Sequence, residues 1–389
     1  MFAGKLVFAQ LMDFLPRHDF DACVRRYGGD RRPRGFSCRD QFLAMAFAQL
    51  TFRESLRDIE TCLHAHAAKL YHAGFRSDIR RSTLADANRT HDWRIWADFA
   101  QVLIRRAREL HADEPLAFEL DRTVYALDST TIDLCLSLFP WAGFRRAKGA
   151  VKLHTLIDLR GNIPCFIHVS TGKTHDVTVL DRLPIEAGSF HVMDRGYVDF
   201  KRLHRFEAGK AFFVTRAKRN FDFTRRAHRA VDKSTGLRSD TTVALAGVAT
   251  SKLYPQPLRR VAFRDPETGR RLVFLTNNFD LPALTVAKLY RSRWQVELFF
   301  KWIKQNLRIK RFHGTDPNAV KTQVWIAIAV YVLVAIVRRE LGGHRSLGEI
   351  HQILSVTLFE KTPLFLALSK PKTQGEDGAI PKQLSLFDL

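Results

Sequence analysis

The first third of the chain carries apolar residues at helical spacing. Phe42, Met45, Ala46 and Leu50 show the repeat of three and four residues that places apolar side chains on one helix face. Stretches containing glycine or proline at residues 28–33 and 74–78 interrupt this pattern. The pattern predicts a helical N-terminal domain over residues 1–118.

Beyond residue 115 the pattern changes to short β-rich segments. The predicted strands are at residues 123–134, 151–158, 163–170, 190–194 and 211–215, with a helix at residues 198–206. Gly161 permits the positive φ of a tight turn, so the second and third strands are predicted to form a hairpin. Further short strands are predicted at residues 242–248, 258–263 and 271–276.

Two long helices are predicted after these strands. Pro282 suits the first turn of a helix that continues to about Leu307. The unbroken apolar run from Val324 to Val337 is shorter than the roughly 20 residues needed to cross a bilayer, so it predicts a buried core helix and no membrane span.

The elements together predict an α/β protein, with a mixed sheet and a β-rich insertion preceded by a helical N-terminal domain. The expected division is a helical domain at 1–118, a first part of the core at 119–215, the insertion at 216–271, a second part of the core at 272–345, and a C-terminal helix with a flexible tail at 346–389.

Charge and cysteine content narrow the class of protein. Lysine and arginine number 62 against 40 acidic residues, for a net charge of +22, which favours a polyanionic partner such as nucleic acid. Basic clusters in the N-terminal region are predicted to line a DNA groove or to form a solvated face: Arg25, Arg26, Arg31, Arg32, Arg34, Arg76, Arg80 and Arg81. Five cysteines without a C-x-x-C pair suggest neither disulfides nor a zinc ribbon, and with no export signal recognised they fit a reducing cytoplasm.

One helix concentrates candidate chemistry. At about 100° per residue, Tyr290, Arg293, Glu297 and Lys304 share an arc of about 60°, whereas Leu289, Val296, Phe300, Ile303 and Leu307 form a neighbouring apolar stripe. Glu297 is the only acid between residues 288 and 311, a segment otherwise rich in lysine and arginine. An ordinary surface ion pair with Arg293 or Lys301 is the alternative interpretation.

Two aspartates stand at strand positions. Asp128 follows an apolar strand segment, and Asp194 ends another strand just before Arg195. A carboxylate at a strand position that would otherwise be buried in a core is unfavourable unless it is paired or binds a metal. The alternative is that a strand-end aspartate is simply a turn residue, which is common. Histidines such as His154, His168 and His175 occur singly, which favours packing or surface roles over metal ligation.

Three motifs together resemble the bacterial insertion-sequence transposases of the DDE class, in the IS4-like branch marked by a tyrosine-arginine-glutamate-lysine helix. The motifs are Leu127-Asp-Ser-Thr130, Met193-Asp-Arg-Gly-Tyr197, and Tyr290-x2-Arg293-x3-Glu297-x6-Lys304. The resemblance spans about residues 120–311. It implies a ribonuclease H-like catalytic core in which Asp128, Asp194 and Glu297 converge.

The resemblance implies a mechanism as well. The three carboxylates would hold Mg²⁺, with Mn²⁺ able to substitute, because hard oxygen ligands suit these ions. Water or a DNA 3′-hydroxyl would attack the phosphodiester in line, so that one site cleaves and later joins DNA in a cut-and-paste reaction through a DNA hairpin. By resemblance Tyr290, Arg293 and Lys304 would hold phosphates, and we expect the basic Lys301, Arg216 and Lys218 to contact DNA too.

The implied partners are double-stranded DNA, at transposon ends and at the target, and a second copy of the chain in a synaptic complex. The expected location is the bacterial cytoplasm at the nucleoid. A catalytically inactive DNA-binding regulator and a structure-directed nuclease of the same fold are the alternatives.

The C-terminal segment carries a separate motif. Gln383, Leu384, Leu386 and Phe387 lie in a stretch that resembles the peptide by which bacterial proteins bind the DNA polymerase sliding clamp. Apolar anchors on a short tail suit a hydrophobic groove. The alternative is that the tail folds back on its own domain.

Overall fold

The computed structural model describes residues 4–31, 36–116, 120–135, 137–145, 148–306, 312–343 and 345–369. Within these ranges, seven helices precede the sheet: α1 Val7–Met12, α2 Arg17–Arg26, α3 Cys38–Leu50, α4 Leu56–His64, α5 Ala67–Ala73, α6 Arg81–Thr90 and α7 Arg94–Leu110. The later helices are α8 Phe200–Ala208, α9 Val248–Leu253, α10 Ala283–Ser292, α11 Trp294–Asn306, α12 Pro317–Glu340, α13 Leu347–Thr357 and α14 Leu364–Leu368.

The strands fall between α7 and α10. They are β1 Val124–Leu134, β2 Gly143–Arg145, β3 Lys148–Asp158, β4 Ile163–Thr171, β5 Phe190–Met193, β6 Phe212–Arg216, β7 Phe223–Arg229, β8 Leu237–Leu245, β9 Leu258–Arg264 and β10 Arg271–Thr276. The predicted helical N-terminal region and mixed α/β organisation are both confirmed.

Helix α12 is the centre of the helical layer. It packs along α7 and against α3 and α6, and every residue of the apolar run 324–337 is buried. Asp316 caps its first turn by accepting backbone N–H bonds from Asn318 and Ala319, and Pro317 follows the cap. Because neighbours surround α12, its apolar residues cover all sides rather than one stripe.

Helix α12 is buried, as predicted, and this burial distinguishes a core helix from a membrane span. Within the described residues, α12 is long and apolar enough to cross a membrane. However, 94% of its apolar 18-residue segment is buried inside the protein. The helix is therefore a core helix and indicates no membrane protein.

The central part of the sheet combines antiparallel and parallel pairing. The strand order is β4-β3-β1-β5-β6, with β3 antiparallel to both β4 and β1, and β5 parallel to both β1 and β6. The predicted β3–β4 hairpin is confirmed, and Gly161 in its turn has a φ of +70°. A Cβ at Gly161 would lie 2.3 Å from the His111 ring, so both φ and space require glycine there.

Residues 216–271 are β-rich, as predicted, and they extend the same sheet. Strand β10 pairs with β6, and β9, β8 and β7 follow in that order. Strand β7 has no counterpart among the sequence predictions. Its side chains from Thr224 to His228 are all exposed, so no alternation of apolar and polar residues marks it.

The predicted single helix from Pro282 to about Leu307 is wrong in one respect. The chain forms α10 and α11, which meet at Arg293. There the Arg293 N–H donates to the Tyr290 carbonyl and the Val296 N–H donates to the Arg293 carbonyl, both three-residue spans that tighten the turn. A uniform angle of about 100° per residue therefore does not hold across the junction.

Several buried histidines predict sensitivity to mild acid. Burial lowers the pKa of His191 to about 3 and the pKa values of His154 and His351 to about 4. The unfolded state then binds more protons below about pH 6.5, so stability falls as pH drops through that value. We expect each such histidine to remove about 1.2 kcal/mol from the free energy of unfolding between neutral pH and pH ~5.5.

Urea unfolding at the two pH values measures this loss. The His191→Gln variant should lose less stability than the parent over that interval, whereas substitution of the exposed His72 by Gln should leave the loss unchanged. Equal losses in the parent and in the His191→Gln variant would contradict the assignment.

Candidate active site

Two aspartates lie at the same edge of two neighbouring parallel strands. Leu127 of β1 stands opposite Met193 of β5, and Asp128 and Asp194 are the next residues along the two strands' paths. Parallel strands run in the same direction, so both aspartates occupy the carboxyl-terminal side of this pairing, where α/β sheets commonly bind ligands. Strand β1 continues past Asp128 as a partner of β3.

Glu297 comes to the same region from a helix. It lies in the first turn of α11, which contacts β1. Val296, Phe300 and Ile303 are buried, so the predicted apolar stripe is confirmed in α11, while Leu307 lies outside the described residues. The stripe packs the helix against the sheet and leaves Glu297 exposed.

Arg293 stands between two of the carboxylates. Its Nη1 donates to Asp128 Oδ2 at 2.5 Å and its Nη2 donates to Glu297 Oε1 at 2.5 Å. The arginine side chain is 17% exposed, whereas Glu297 is 57% exposed. The ordinary i,i+4 ion pair considered for Glu297 is present, but its cation also contacts an acid 165 positions earlier in the chain.

Tyr290 contacts the remaining acid. Its hydroxyl donates to Asp194 Oδ1 at 3.0 Å, and its ring centroid lies 4.9 Å from that of Phe274 on β10. Burial, with the Asp194 charge, raises the pKa of Tyr290 to about 12, and Arg216 acts in the opposite direction. The tyrosine therefore stays protonated at neutral pH and serves as a hydrogen-bond donor.

The electrostatics of Asp128 show that the other two acids act on it. Burial raises the pKa of Asp128, and the negative charges of Asp194 and Glu297 add to this rise. The Ser129 N–H and the Arg293 guanidinium act in the opposite direction. One guanidinium thus offsets part of the repulsion within a group of three carboxylates.

The donor set fits a divalent cation in chemistry. Three carboxylates supply the hard oxygen ligands that Mg²⁺ and related ions prefer. Among the described residues, however, their oxygens do not all lie within 4.8 Å of one another. The guanidinium of Arg293 supplies positive charge between Asp128 and Glu297 in this arrangement.

The other predicted DNA contacts are dispersed around this site. Lys301 and Lys304 are exposed on α11, and Lys304 lies about 10 Å along the helix axis from Glu297. Arg216 ends β6, while Lys218 donates from Nζ to the Val198 carbonyl at 2.8 Å. The clamp-like residues Gln383, Leu384, Leu386 and Phe387 lie outside the described residues.

Sequence analysis missed a polar network on the residue next to Asp128. The Ser129 hydroxyl donates to Asp176 Oδ1 at 2.8 Å, and Lys152 Nζ donates to the same oxygen at 3.1 Å. His154 Nδ1 lies 3.8 Å from that oxygen. Asp176 follows a loop of glycine, threonine and lysine that has the composition of an ordinary turn, so no local pattern singles it out.

Two families match the sequence. Residues 119–333 match the family described as the transposase DDE domain, and residues 3–76 match a family described as a domain of unknown function. The first match covers the strands and helices that carry Asp128, Asp194 and Glu297. It also includes β7 to β9, which fall within the predicted β-rich insertion at 216–271.

Curated relatives carry names of the same kind. A protein of Sinorhizobium fredii named as a transposase is 33% identical over 260 residues, covering 66% of this chain and 71% of the relative. An insertion-sequence transposase of Geobacillus stearothermophilus is 33% identical over 210 residues, covering 54% of this chain and 55% of the relative. One of Synechocystis is 23% identical over 267 residues, covering 67% and 73%.

A solved structure shares the fold. The piggyBac transposase, in a synaptic complex with hairpin DNA, has a TM-score of 0.50 over 94% of this chain and 82% of that chain, at 10% identity. With the strand order described above, this likeness confirms the predicted ribonuclease H-like core. The DDE domain implies that activity depends on a divalent metal ion. The chain belongs to the DDE transposase family and is a DNA transposase related to those of IS4-like insertion sequences.

Proposed function

We propose that Asp128, Asp194 and Glu297 are the catalytic acids of this transposase and that they hold Mg²⁺, with Mn²⁺ able to substitute. The observation that supports this most directly is the placement of Asp128 and Glu297 on the two sides of one guanidinium, beside Asp194 on the adjacent strand. The bound metal would stabilise charge on the attacking and leaving oxygens of the phosphodiester.

The chain's own cations would then act on DNA phosphates. We infer that Arg293 exchanges its two carboxylate partners for a phosphate when DNA binds. The two terminal nitrogens that now donate to carboxylate oxygens can donate equally well to two oxygens of one phosphate. Tyr290 donates a hydrogen bond near Asp194, and the exposed Lys301 and Lys304 extend positive charge along α11. Arg216 and Lys218 add charge on the strand side of the site.

Substitution of Arg293 tests this role. Arg293→Gln should lower the rate of DNA end cleavage by about 10²-fold or more, because a positioned donor to developing charge typically contributes that much. Arg291→Gln is the matched control, since Arg291 lies in α10 two residues before Arg293 and forms an exposed pair with Glu267. Rates are measured at saturating DNA, and an equal loss in both variants would refute a specific role for Arg293.

The proposed reaction is cleavage at the terminal inverted repeats followed by strand transfer, with a DNA hairpin as intermediate, in a dimer that holds both ends. It would take place in the bacterial cytoplasm at the nucleoid. Supercoiled plasmid carrying the DNA that flanks the gene, incubated with Mg²⁺ and a target plasmid, should yield cut ends, hairpin ends and joined products. Free ends without joining would favour the nuclease alternative, and binding without cutting would favour the inactive regulator.

We further propose that Gln383, Leu384, Leu386 and Phe387 bind the DNA polymerase sliding clamp. Their order in the sequence, with two leucines and a phenylalanine as apolar anchors, is what supports this. Phe387→Ala should abolish recovery of purified clamp in a pull-down, whereas Phe365→Ala, which changes an exposed aromatic residue of α14, should not. Unchanged recovery with Phe387→Ala would favour a tail that folds back on its own domain.

A further inference from the structure

Three residues with metal-binding side chains meet in the helical layer, far along the chain from the catalytic acids. Asp30 follows α2, Cys38 is the first residue of α3, and His91 follows α6. One ligand atom from each side chain lies within 4.8 Å of those of the other two. Each donor belongs to a different segment, so only the tertiary fold brings them together.

The distances suit a tetrahedral ion. Cys38 Sγ lies 3.5 Å from His91 Nδ1. A zinc ion with sulfur at about 2.3 Å and nitrogen at about 2.0 Å separates these donor atoms by about 3.5 Å when the angle is tetrahedral. The amide oxygen of Gln41 now accepts the Nδ1–H bond at 2.5 Å. To act as a fourth ligand it has to move away from Nδ1 to the separation of about 3.3 Å that two donors on one tetrahedral zinc require.

The surroundings hold these donors in place. Cys38 and Gln41 are fully buried, and Asp30 Oδ1 accepts a bond from the Cys38 N–H at 2.8 Å. The His91 carbonyl accepts a bond at 2.7 Å from Nδ2 of Asn318 on the central helix α12. A Cβ on Gly29 would lie 2.5 Å from Cys38 Sγ, so the chain before Asp30 is packed tightly against the thiol.

We propose that Asp30, Cys38 and His91 bind a Zn²⁺ ion, with the Gln41 amide oxygen or a water as the fourth ligand. In the metal-free arrangement the His91 Nδ1–H donates to the Gln41 oxygen. On binding, the thiol proton passes to solvent and the imidazole proton is carried on Nε2, which frees one lone pair on sulfur and one on Nδ1. No change of oxidation state is involved.

Such an ion would act as a structural link. It would join the segment after α2, the start of α3 and the end of α6 through one centre. The end of α2 carries the exposed Arg25 and Arg26, followed by Arg31. Zinc would therefore hold a basic part of the N-terminal region in one arrangement relative to α12, which suits a surface that binds phosphates.

Zinc content of the full-length chain tests the proposal independently of DNA cleavage. The measurement uses the Asp128→Ala, Asp194→Ala background, so that zinc retained by the catalytic carboxylates is not counted. Elemental analysis after removal of loosely bound metal should find about one zinc per chain. Cys38→Ser and His91→Gln should each lose it, whereas Cys62→Ser, which changes a cysteine of α4 outside the cluster, should retain it.

Cobalt substitution provides a result that needs no variant at the cluster. Co²⁺ added to metal-free protein in the same background should give the near-ultraviolet thiolate-to-cobalt band and the visible bands of a tetrahedral site. Circular dichroism checks that Cys38→Ser remains folded. Absence of the thiolate band, or zinc content that Cys38→Ser leaves unchanged, would overturn the proposal.

Discussion

Asp194→Asn should reduce DNA end cleavage by about 10³-fold or more while leaving the protein folded. Loss of one carboxylate charge removes several kcal/mol of metal-dependent stabilisation from the transition state, and each 1.4 kcal/mol corresponds to about tenfold in rate. The asparagine oxygen still accepts the Tyr290 hydrogen bond now made by Asp194 Oδ1, so the local packing is retained. The variant therefore separates the charge of the acid from its structural contact.

The matched control for this variant is Asp133→Asn. Asp133 lies on β1 like Asp128, but its side chain is exposed and outside the group of three acids. Cleavage is followed on supercoiled plasmid across a series of Mg²⁺ and Mn²⁺ concentrations. Full activity of Asp194→Asn, or an equal loss with Asp133→Asn, would remove Asp194 from the mechanism.

Asp240→Leu should lower the free energy of unfolding by about 3–5 kcal/mol, because it leaves a buried arginine without its counter-charge. Arg259 donates to both oxygens of Asp240, at 3.0 Å and 2.7 Å, and these two side chains are 3% and 4% exposed. Arg259 Nη1 also donates to the Leu281 carbonyl at 2.6 Å. The ion pair thus ties β8 and β9 to the turn just before α10.

The double variant Asp240→Leu, Arg259→Met separates the charge effect from packing. We expect it to recover much of the stability lost in Asp240→Leu, because replacing both members of a buried pair by apolar residues is often close to neutral. Urea unfolding of both variants and the parent gives the comparison. A loss below about 1 kcal/mol in the single variant would mean that the pair is solvated and does not anchor this turn.

The sheet shows how far local patterns carry a prediction. Strands β1, β3, β4, β5 and β6 were predictable because apolar residues accumulate in short runs flanked by turn residues. Strand β7 was not, because most of its side chains are exposed and its pairing with β8 supplies the ordering. Sequence also placed the residues that follow Arg216 in a β-rich segment, but not in the same sheet as Asp128, since strand pairing across the molecule leaves no periodic signal.

The candidate site divides in the same way. Asp128, Asp194 and Glu297 could be named from motifs, because each motif lies within a few consecutive residues of a strand or helix. The contact between Arg293 and Asp128 could not, since it joins the start of α11 to β1 and depends on the tightened junction at Arg293. Asp176 could not be predicted, because its partners Ser129 and Lys152 lie on strands β1 and β3, distant in the sequence.

By itself the amino-acid sequence determined most of the helices and strands in their order, the burial of α12 and which three acids are candidates for catalysis, since these depend on the spacing of residue types along a local segment. Only the tertiary structure showed that Asp128 and Glu297 both contact Arg293 and that β7 to β10 extend the sheet. It also brought Asp30, Cys38 and His91 together. Side-chain contacts between distant segments depend on how whole elements pack. The periodicity of one element shows which face is buried but does not specify which other element packs against that face.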